Sequence, residues 1–275
     1  MRLVDIGVNL MNSAFDNDRE TVIEAAQAVG VSPLVITGNN IVSSVAAFEF
    51  ARNRTSSSYA TAGVHPHNAT EWNEAAQTAL RELVLREPKS GESSGIIVAV
   101  GECGLDFNRN FSPPQDQRKC FEDQLALAAE TEKPVFLHER DAFDDFFAIL
   151  KKYRSRLPRA VVHCFTGTEA ALEAYLSLDC HIGITGWICD ERRGGGLVSL
   201  LKNIPADRLL LETDSPYLLP RNLPRCERGK SGRNEPRFLP HIAVCAAEIL
   251  GKKPEQLAEE TSANAVRFFG FNQQQ

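Results

Sequence analysis

The chain has 275 residues, 43% of them hydrophobic, and a formal net charge of −6. That length suits one α/β barrel of roughly 250 residues, is short for two domains, and buries enough core to need no covalent staples. No window approaches the ~18 consecutive apolar residues of a membrane span; the acidic balance by itself argues mildly against nucleic acid, because phosphate binders are usually basic, though the local distribution of charge matters more.

In chain order, eight short apolar or β-branched runs stand at 3–8, 34–37, 59–64, 96–100, 135–137, 160–162, 182–185 and 208–211. Helical stretches follow them, among them 19–29, 73–86, 115–131, 142–153 and 169–178. Near-continuous apolar strands alternating with helices predict a buried parallel sheet. Eight such units in this length predict a closed (β/α)8 TIM barrel, a single α/β domain over 1–275. No G-x-G-x-x-G follows the first run, which disfavours a dinucleotide-binding fold. Residues 89–95 read as a surface loop. An arginine-rich loop over 215–235 follows the last run, and helices over 238–250 and 255–269 are expected to close the barrel.

The first residues enter a strand at once, with no apolar signal core, so a cytosolic protein with no membrane association is expected. Seven cysteines, at 103, 120, 164, 180, 189, 226 and 245, contain no C-x-x-C. That count and spacing argue against a disulfide framework and against a zinc ribbon, and predict reduced thiols.

Polar residues capable of binding a cation or moving a proton end nearly every run: Asn9, Asn39-Asn40, His65-Pro66-His67, Glu102, His138-Glu139, His163, and Glu212 with Asp214. In a barrel these ends share the face that carries active sites. A lone histidine after buried β residues is ordinarily a hydrogen-bonded core residue. Two of them, His138 and His163, together with Glu102 and Asp214, form four desolvated titratable groups that a divalent cation compensates well. Imidazoles with carboxylates suit zinc, manganese, iron or magnesium, and phosphate nearby favours magnesium or manganese. A ligand carboxylate can take a proton from metal-bound water, and Asp214 is the expected base.

Several segments resemble signatures of the TatD family of metal-dependent deoxyribonucleases, which are amidohydrolase-like TIM barrels. They are Asp5-Ile6-Gly7-Val8-Asn9-Leu10, Ala62-Gly63-Val64-His65-Pro66-His67 and Gly101-Glu102-Cys103-Gly104-Leu105-Asp106. With them stand Pro134-Val135-Phe136-Leu137-His138, His163-Cys164-Phe165-Thr166-Gly167, Glu212-Thr213-Asp214-Ser215-Pro216-Tyr217 and Arg233-Asn234-Glu235-Pro236. They occur in family order and span almost the whole chain. The resemblance implies a 3′–5′ exonuclease acting on single-stranded or frayed DNA, with RNA also open. It implies metal ligands at Glu102, His138, His163 and Asp214, a phosphate contact at His65, and catalysis by Asp214, Glu102 and His65. Asp106 is expected to support the ligands rather than bind. Many relatives begin with Asp-x-His-x-His, whereas Gly7 and Asn9 stand at the paired histidines here. The expected cofactor is therefore one firmly held divalent metal near His138 and His163, Mg2+ first and Mn2+ or Zn2+ as alternatives, with a weaker second site. Glu139 is expected to turn outward into a salt bridge.

Arg221, Arg225, Arg228, Lys230 and Arg233 form an expected basic rim, joined by Arg192-Arg193 and Arg109. Phe107, Trp187 and Tyr217 offer faces for an unpaired base. Asn9, His65, Arg109, Trp187, Arg192, Tyr217 and Arg233 are thus the expected substrate contacts of a monomeric enzyme, with Arg233 and Glu235 also read as structural residues that pin the loop. Two other readings stand beside the nuclease: ester or amide hydrolysis, such as D-aminoacyl-tRNA deacylation, and a non-catalytic scaffold.

Overall fold

A computed structural model describes residues 1–54, 57–86, 95–190, 194–228 and 232–271. Eight parallel strands hydrogen-bond in sequence order. They are β1 (Leu3–Val8), β2 (Val31–Ile36), β3 (Ser58–Ala62), β4 (Ile97–Asp106), β5 (Val135–Arg140), β6 (Ala160–Val162), β7 (His181–Ile184) and β8 (Leu209–Leu211). The ring closes just beyond β8: Asp214 N–H donates to Gly7 O at 2.9 Å, and Asn9 N–H donates to Ser215 O at 2.8 Å. The helices between strands are α1 (Arg19–Ala28), α2 (Ile41–Ala51), α3 (Glu74–Val84), α4 (Pro114–Thr131), α5 (Phe143–Tyr153), α6 (Glu169–Ser177) and α7 (Gly195–Leu201), and α8 (Leu239–Leu250) and α9 (Pro254–Phe269) follow the last strand. This is the expected TIM barrel.

Two elements differ from expectation. β4 runs ten residues rather than ending near Val100, because Gly104, Leu105 and Asp106 continue its pairing with β5. Its glycines and acids break the apolar run that marks a strand in the sequence, so Glu102 lies within the strand rather than at its end. α2 went unrecognised because its apolar residues are not confined to one stripe. Its start is fixed by a capping box, in which Asn40 Oδ1 accepts from Ser43 N–H and Ser43 Oγ accepts from Asn40 N–H. Ser43 Oγ also donates to Asn39 Oδ1 at 2.9 Å. Asn39 and Asn40 therefore build a helix start rather than the site.

Side chains alternate between the two faces of each strand. Val135 and Leu137, Ala160 and Val162, and Leu209 and Leu211 pack outward with the helices. Phe136, Val161 and Leu210 pack inward, beneath an aromatic plug of Phe268, Phe269 and Phe271 at the end of α9. Continuing the inner series by two residues gives His138, His163 and Glu212. In β4, Cys103 and Leu105 face the outer core, so Glu102 and Asp106 face the axis. One parity rule thus gathers acids and imidazoles at the open end of the barrel, above a dry floor.

Candidate metal and catalytic site

Three imidazoles converge on one carboxylate oxygen. Glu102 Oε1 lies 2.8 Å from His163 Nε2, 3.0 Å from His138 Nδ1 and 3.3 Å from His65 Nε2. Ligand atoms of His65, Glu102 and His138 all fall within 4.8 Å of one another. His67 adds a fourth imidazole: its Nε2 is 2.6 Å from Asp106 Oδ2, which is also 3.7 Å from His138 Nε2. Asp106 is fixed in turn by the N–H groups of Asn108 and Arg109.

Electrostatics follows from this crowding. Burial opposes ionisation of Glu102, but His65 and His163 outweigh it and hold the carboxyl well below its usual range. Asp106 is likewise held low against burial by His138 and His67. Burial resists charge on His163, yet Glu102 and Glu212 raise its affinity for a proton well above the ordinary value. His65 goes the other way, since burial lowers it to about 4. Asp214 is pushed up to about 7 by burial, against the pull of His163. It senses the charges of Glu102 and Glu212 as well, which places it in the same electrostatic chamber. Its φ of 53° is the left-handed conformation, uncommon for aspartate.

Glu212 forms the floor and was missing from the expected site. Its Oε1 accepts from Cys164 N–H at 2.6 Å, and Oε2 is 3.4 Å from His163 Nδ1. Two glycines make room for it: a Cβ on Gly7 would come within 2.4 Å of Glu212 Oε2, and one on Gly183 within 2.5 Å of Oε1. The signal was present in the Glu212-Thr213-Asp214 segment, but the glycines that admit the carboxylate are on other strands. Asp5 supports the same floor, accepting from Thr213 N–H at 2.9 Å and Thr213 Oγ1 at 2.6 Å.

The donor set fits a divalent cation. Imidazoles and carboxylates of opposite tendency share one small volume, and His138 Nε2, His163 Nδ1 and Glu212 Oε2 are buried without hydrogen-bond partners among the described residues. Buried polar atoms left unpaired are costly, and a cation satisfies several at once.

Residues 4–270 match the family of TatD related DNases. The chain belongs to that family. A relative from Rahnella sp. (strain Y9602), called "3'-5' ssDNA/RNA exonuclease TatD", is 50% identical over 270 residues, which cover 98% of this chain and 99% of the relative. A relative of the same description from Edwardsiella piscicida is 52% identical over 267 residues, covering 97% and 99%. The crystal structure of YjjV, a TatD homologue from Escherichia coli K12, superimposes with a TM-score of 0.87 at 25% identity, covering 98% of this chain and 99% of that one.

On this TatD-family barrel several expected substrate contacts are assigned differently. Asn9 is 6% exposed, and its Nδ2 donates to Asp214 Oδ1 at 2.9 Å, so it orients that carboxylate rather than meeting solvent. Arg233 is held by Asp18 at 2.7 Å and Glu235 at 2.9 Å, and lies over the Phe15 ring, so it pins the loop. Arg221 pairs with Asp190 at 2.9 Å, and Arg228 donates to the carbonyls of Leu223 and Arg221. Three of the five rim arginines among the described residues are therefore braced by acids or carbonyls of the protein itself. Arg192, Arg193 and Lys230 lie outside the described residues. Glu139 turns outward as expected, but accepts from Ala142 N–H and Tyr175 Oη instead of forming a salt bridge.

What remains at the mouth is more aromatic than basic. Tyr217 is 51% exposed with its hydroxyl accepting from Asn12, and Phe111, 65% exposed, meets His67 edge-on. Arg109 is exposed near Phe111. A cleft of about 1230 Å³ is lined by Phe107, Arg140, Thr166 and Trp187, together with Asp144 and Glu169; Phe107 and Arg140 follow Asp106 and His138 by one and two residues. Arg140, two residues after His138, was not among the expected contacts; its Nη1 reaches Thr166 Oγ1 at 3.4 Å.

Proposed function

We propose that this protein is a 3′–5′ exonuclease that hydrolyses phosphodiester bonds at the ends of single-stranded DNA and RNA, using a divalent metal, with Mg2+ first and Mn2+ next. The observation that carries the reading is the convergence of His163, His138 and His65 on Glu102 Oε1 at 2.8, 3.0 and 3.3 Å inside a TatD-family barrel. Relatives about 50% identical over nearly the whole chain bear the name of that activity.

Glu102, His138 and His163, with Asp214 facing them, would hold the cation, and His65 stands at their edge. When bound, the metal polarises the phosphoryl oxygen and makes its water acidic near neutral pH. Asp214 accepts the proton from the attacking water; its raised proton affinity and its hydrogen bond from Asn9 suit it to that task. Buried neutral His65 donates to a phosphate oxygen, and Asp106 orients His67. Phe107 and Trp187 take terminal bases by stacking, and Arg140 and Arg109 meet the backbone. The acidic surface beyond this mouth disfavours duplex, so the enzyme engages an end rather than a long tract. Among the described residues no helix is long and apolar enough to cross a membrane. We place the enzyme in the cytosol as a monomer.

The test uses end-labelled single-stranded DNA and RNA, and separately a D-aminoacyl-tRNA, with Mg2+, with Mn2+ and with EDTA. Laddering from the 3′ end that EDTA abolishes, and that His138→Ala and Asp214→Asn lose, supports the reading. Ester hydrolysis without nucleic-acid cleavage refutes it.

A further inference from the structure

A second cluster of ligand atoms lies away from the Glu102 site, behind the loop that follows β7. Cys189 ends the short 3-10 turn Gly186–Cys189 beyond that strand, while His241 and Cys245 stand one helical turn apart on α8. Their ligand atoms all fall within 4.8 Å of one another. Cys245 Sγ is 3.8 Å from His241 Nε2. Sulfur and nitrogen ligands of a tetrahedral zinc, at about 2.3 and 2.0 Å from the metal, stand about 3.6 Å apart. The Cys245–His241 pair is thus already near the edge length of a zinc tetrahedron, and Cys189 lies within 4.8 Å of both. Cys189 and Cys245 are 2% and 8% exposed, so burial keeps competing water out.

Asn222, exposed on the loop after β8, adds a fourth polar group. Its Nδ2 donates to Cys245 Sγ at 3.3 Å, and its Oδ1 is 2.7 Å from His241 Nε2. Two buried sulfurs with an imidazole and an amide around them are the ligand chemistry of a soft or borderline cation rather than of magnesium.

We propose that Cys189, His241 and Cys245 form a structural zinc site, distinct from the catalytic cluster, with the Asn222 side-chain oxygen or a water in the fourth corner. Binding releases the protons of the two thiols to solvent, and His241 takes its Nδ1–H tautomer so that Nε2 faces the metal. The ion joins three segments: the β7 loop, the β8 loop and α8. The β7 loop also carries Trp187, two residues before Cys189, and Asp190, which pairs with Arg221 at 2.9 Å. The site would hold that wall of the cleft in place and take no part in chemistry.

The test uses full-length protein purified without oxygen, stripped of metal and titrated with Co2+, whose near-ultraviolet thiolate-to-cobalt absorption reports sulfur ligation directly. Wild type, His138→Ala and Cys164→Ser are expected to develop that absorption to one equivalent. Cys189→Ser and Cys245→Ser are expected to lose it while still binding cobalt at the catalytic cluster. Zn2+ should raise the Tm of His138→Ala and not that of the His138→Ala/Cys245→Ser double variant. Absence of the absorption in wild type overturns the proposal. So does its persistence in both serine variants, its loss in Cys164→Ser alone, or a thiol count showing Cys189 and Cys245 already joined as a disulfide. Because the readout is sulfur–metal absorption, the proposal stands or falls separately from the nuclease activity.

Discussion

Gly7→Ala is the sharpest perturbation the floor of the site allows. The added methyl would sit 2.4 Å from Glu212 Oε2 and 3.2 Å from Phe136 Cζ, the first about 1 Å inside an ordinary contact. The carboxylate is held from the other side, because Cys164 N–H donates to its Oε1 at 2.6 Å and Gly183 lies so near that even a Cβ there would come within 2.5 Å of that oxygen. Overpacking a rigid core costs about 1–3 kcal/mol, and weakening a hydrogen bond to a buried carboxylate adds about 1–2 kcal/mol. The expected loss is about 2–5 kcal/mol, or roughly 4–20 °C in Tm for a chain of this size. Nuclease activity should fall further than stability, because Glu212 backs His163. The assay is thermal unfolding by circular dichroism, beside end-labelled DNA cleavage at a temperature where every variant is folded. The control is a double-mutant cycle with Glu212→Ala. If the clash is the cause, Gly7→Ala costs little in the Glu212→Ala background. An equal cost in both backgrounds, or no cost in either, refutes this account of the floor.

Asn9→Ala removes the donor that favours ionised Asp214; a proton is then held more tightly, and the acid limb of the pH–rate profile should move up by about one pH unit. An unmoved limb would separate Asn9 from the base. Arg233→Ala should lower Tm through loss of about 1–3 kcal/mol of bracing at Asp18 and Glu235 while changing kcat/KM less than threefold; a raised KM at constant Tm would return Arg233 to the substrate. Arg140→Ala should raise KM for single-stranded DNA and reduce the salt slope of binding by about one, with kcat nearly unchanged. His181, at the start of β7 against Phe268, is lowered to about 4 by burial. Its folded-state preference for the neutral ring is without effect above pH 6.5, and costs stability as pH falls from 6.5 toward 4. Partial exposure trims that cost to about 1–2 kcal/mol. His181→Gln should therefore lose less stability than wild type between pH 7 and 4.5 in urea titrations, and parallel losses would reject the assignment.

The barrel and the inner ring of ligands were legible because both obey a short-range rule. Strand parity carries Val161 inward, and His163 with it, whatever the rest of the chain does. The unread parts all depend on which strand faces which. Glu212 needs Gly7 and Gly183, residues 205 and 29 positions away in sequence, and neither glycine announces what it accommodates. The arginines of the last loop looked like a phosphate rim because their partners Asp18, Asp190 and several carbonyls are distant or carry no sequence signal. The absence of a C-x-x-C likewise hid Cys189, His241 and Cys245, which only tertiary packing assembles.

The departure at positions 7 and 9 has a physical consequence for the number of ions. A side chain at position 7 collides with Glu212 in its observed conformation, and Asn9 is committed to Asp214. Among the described residues the β1 edge thus offers a cation carboxylates alone, those of Glu102, Asp214 and Glu212, whereas the β3–β6 side offers His138 and His163 around Glu102, with His65 beside them. Imidazole affinity for zinc or manganese exceeds that for magnesium, so the two sides should differ in metal preference as well as strength. One ion should remain bound through gel filtration on the histidine side, and a second should appear only when substrate phosphate supplies the missing ligands. Metal analysis of the protein alone and with a non-hydrolysable phosphorothioate oligonucleotide reads this directly, after correction for the Cys189 site with the Cys245→Ser variant. Two tightly held catalytic ions in the protein alone would show that Gly7 and Asn9 cost the β1 side nothing.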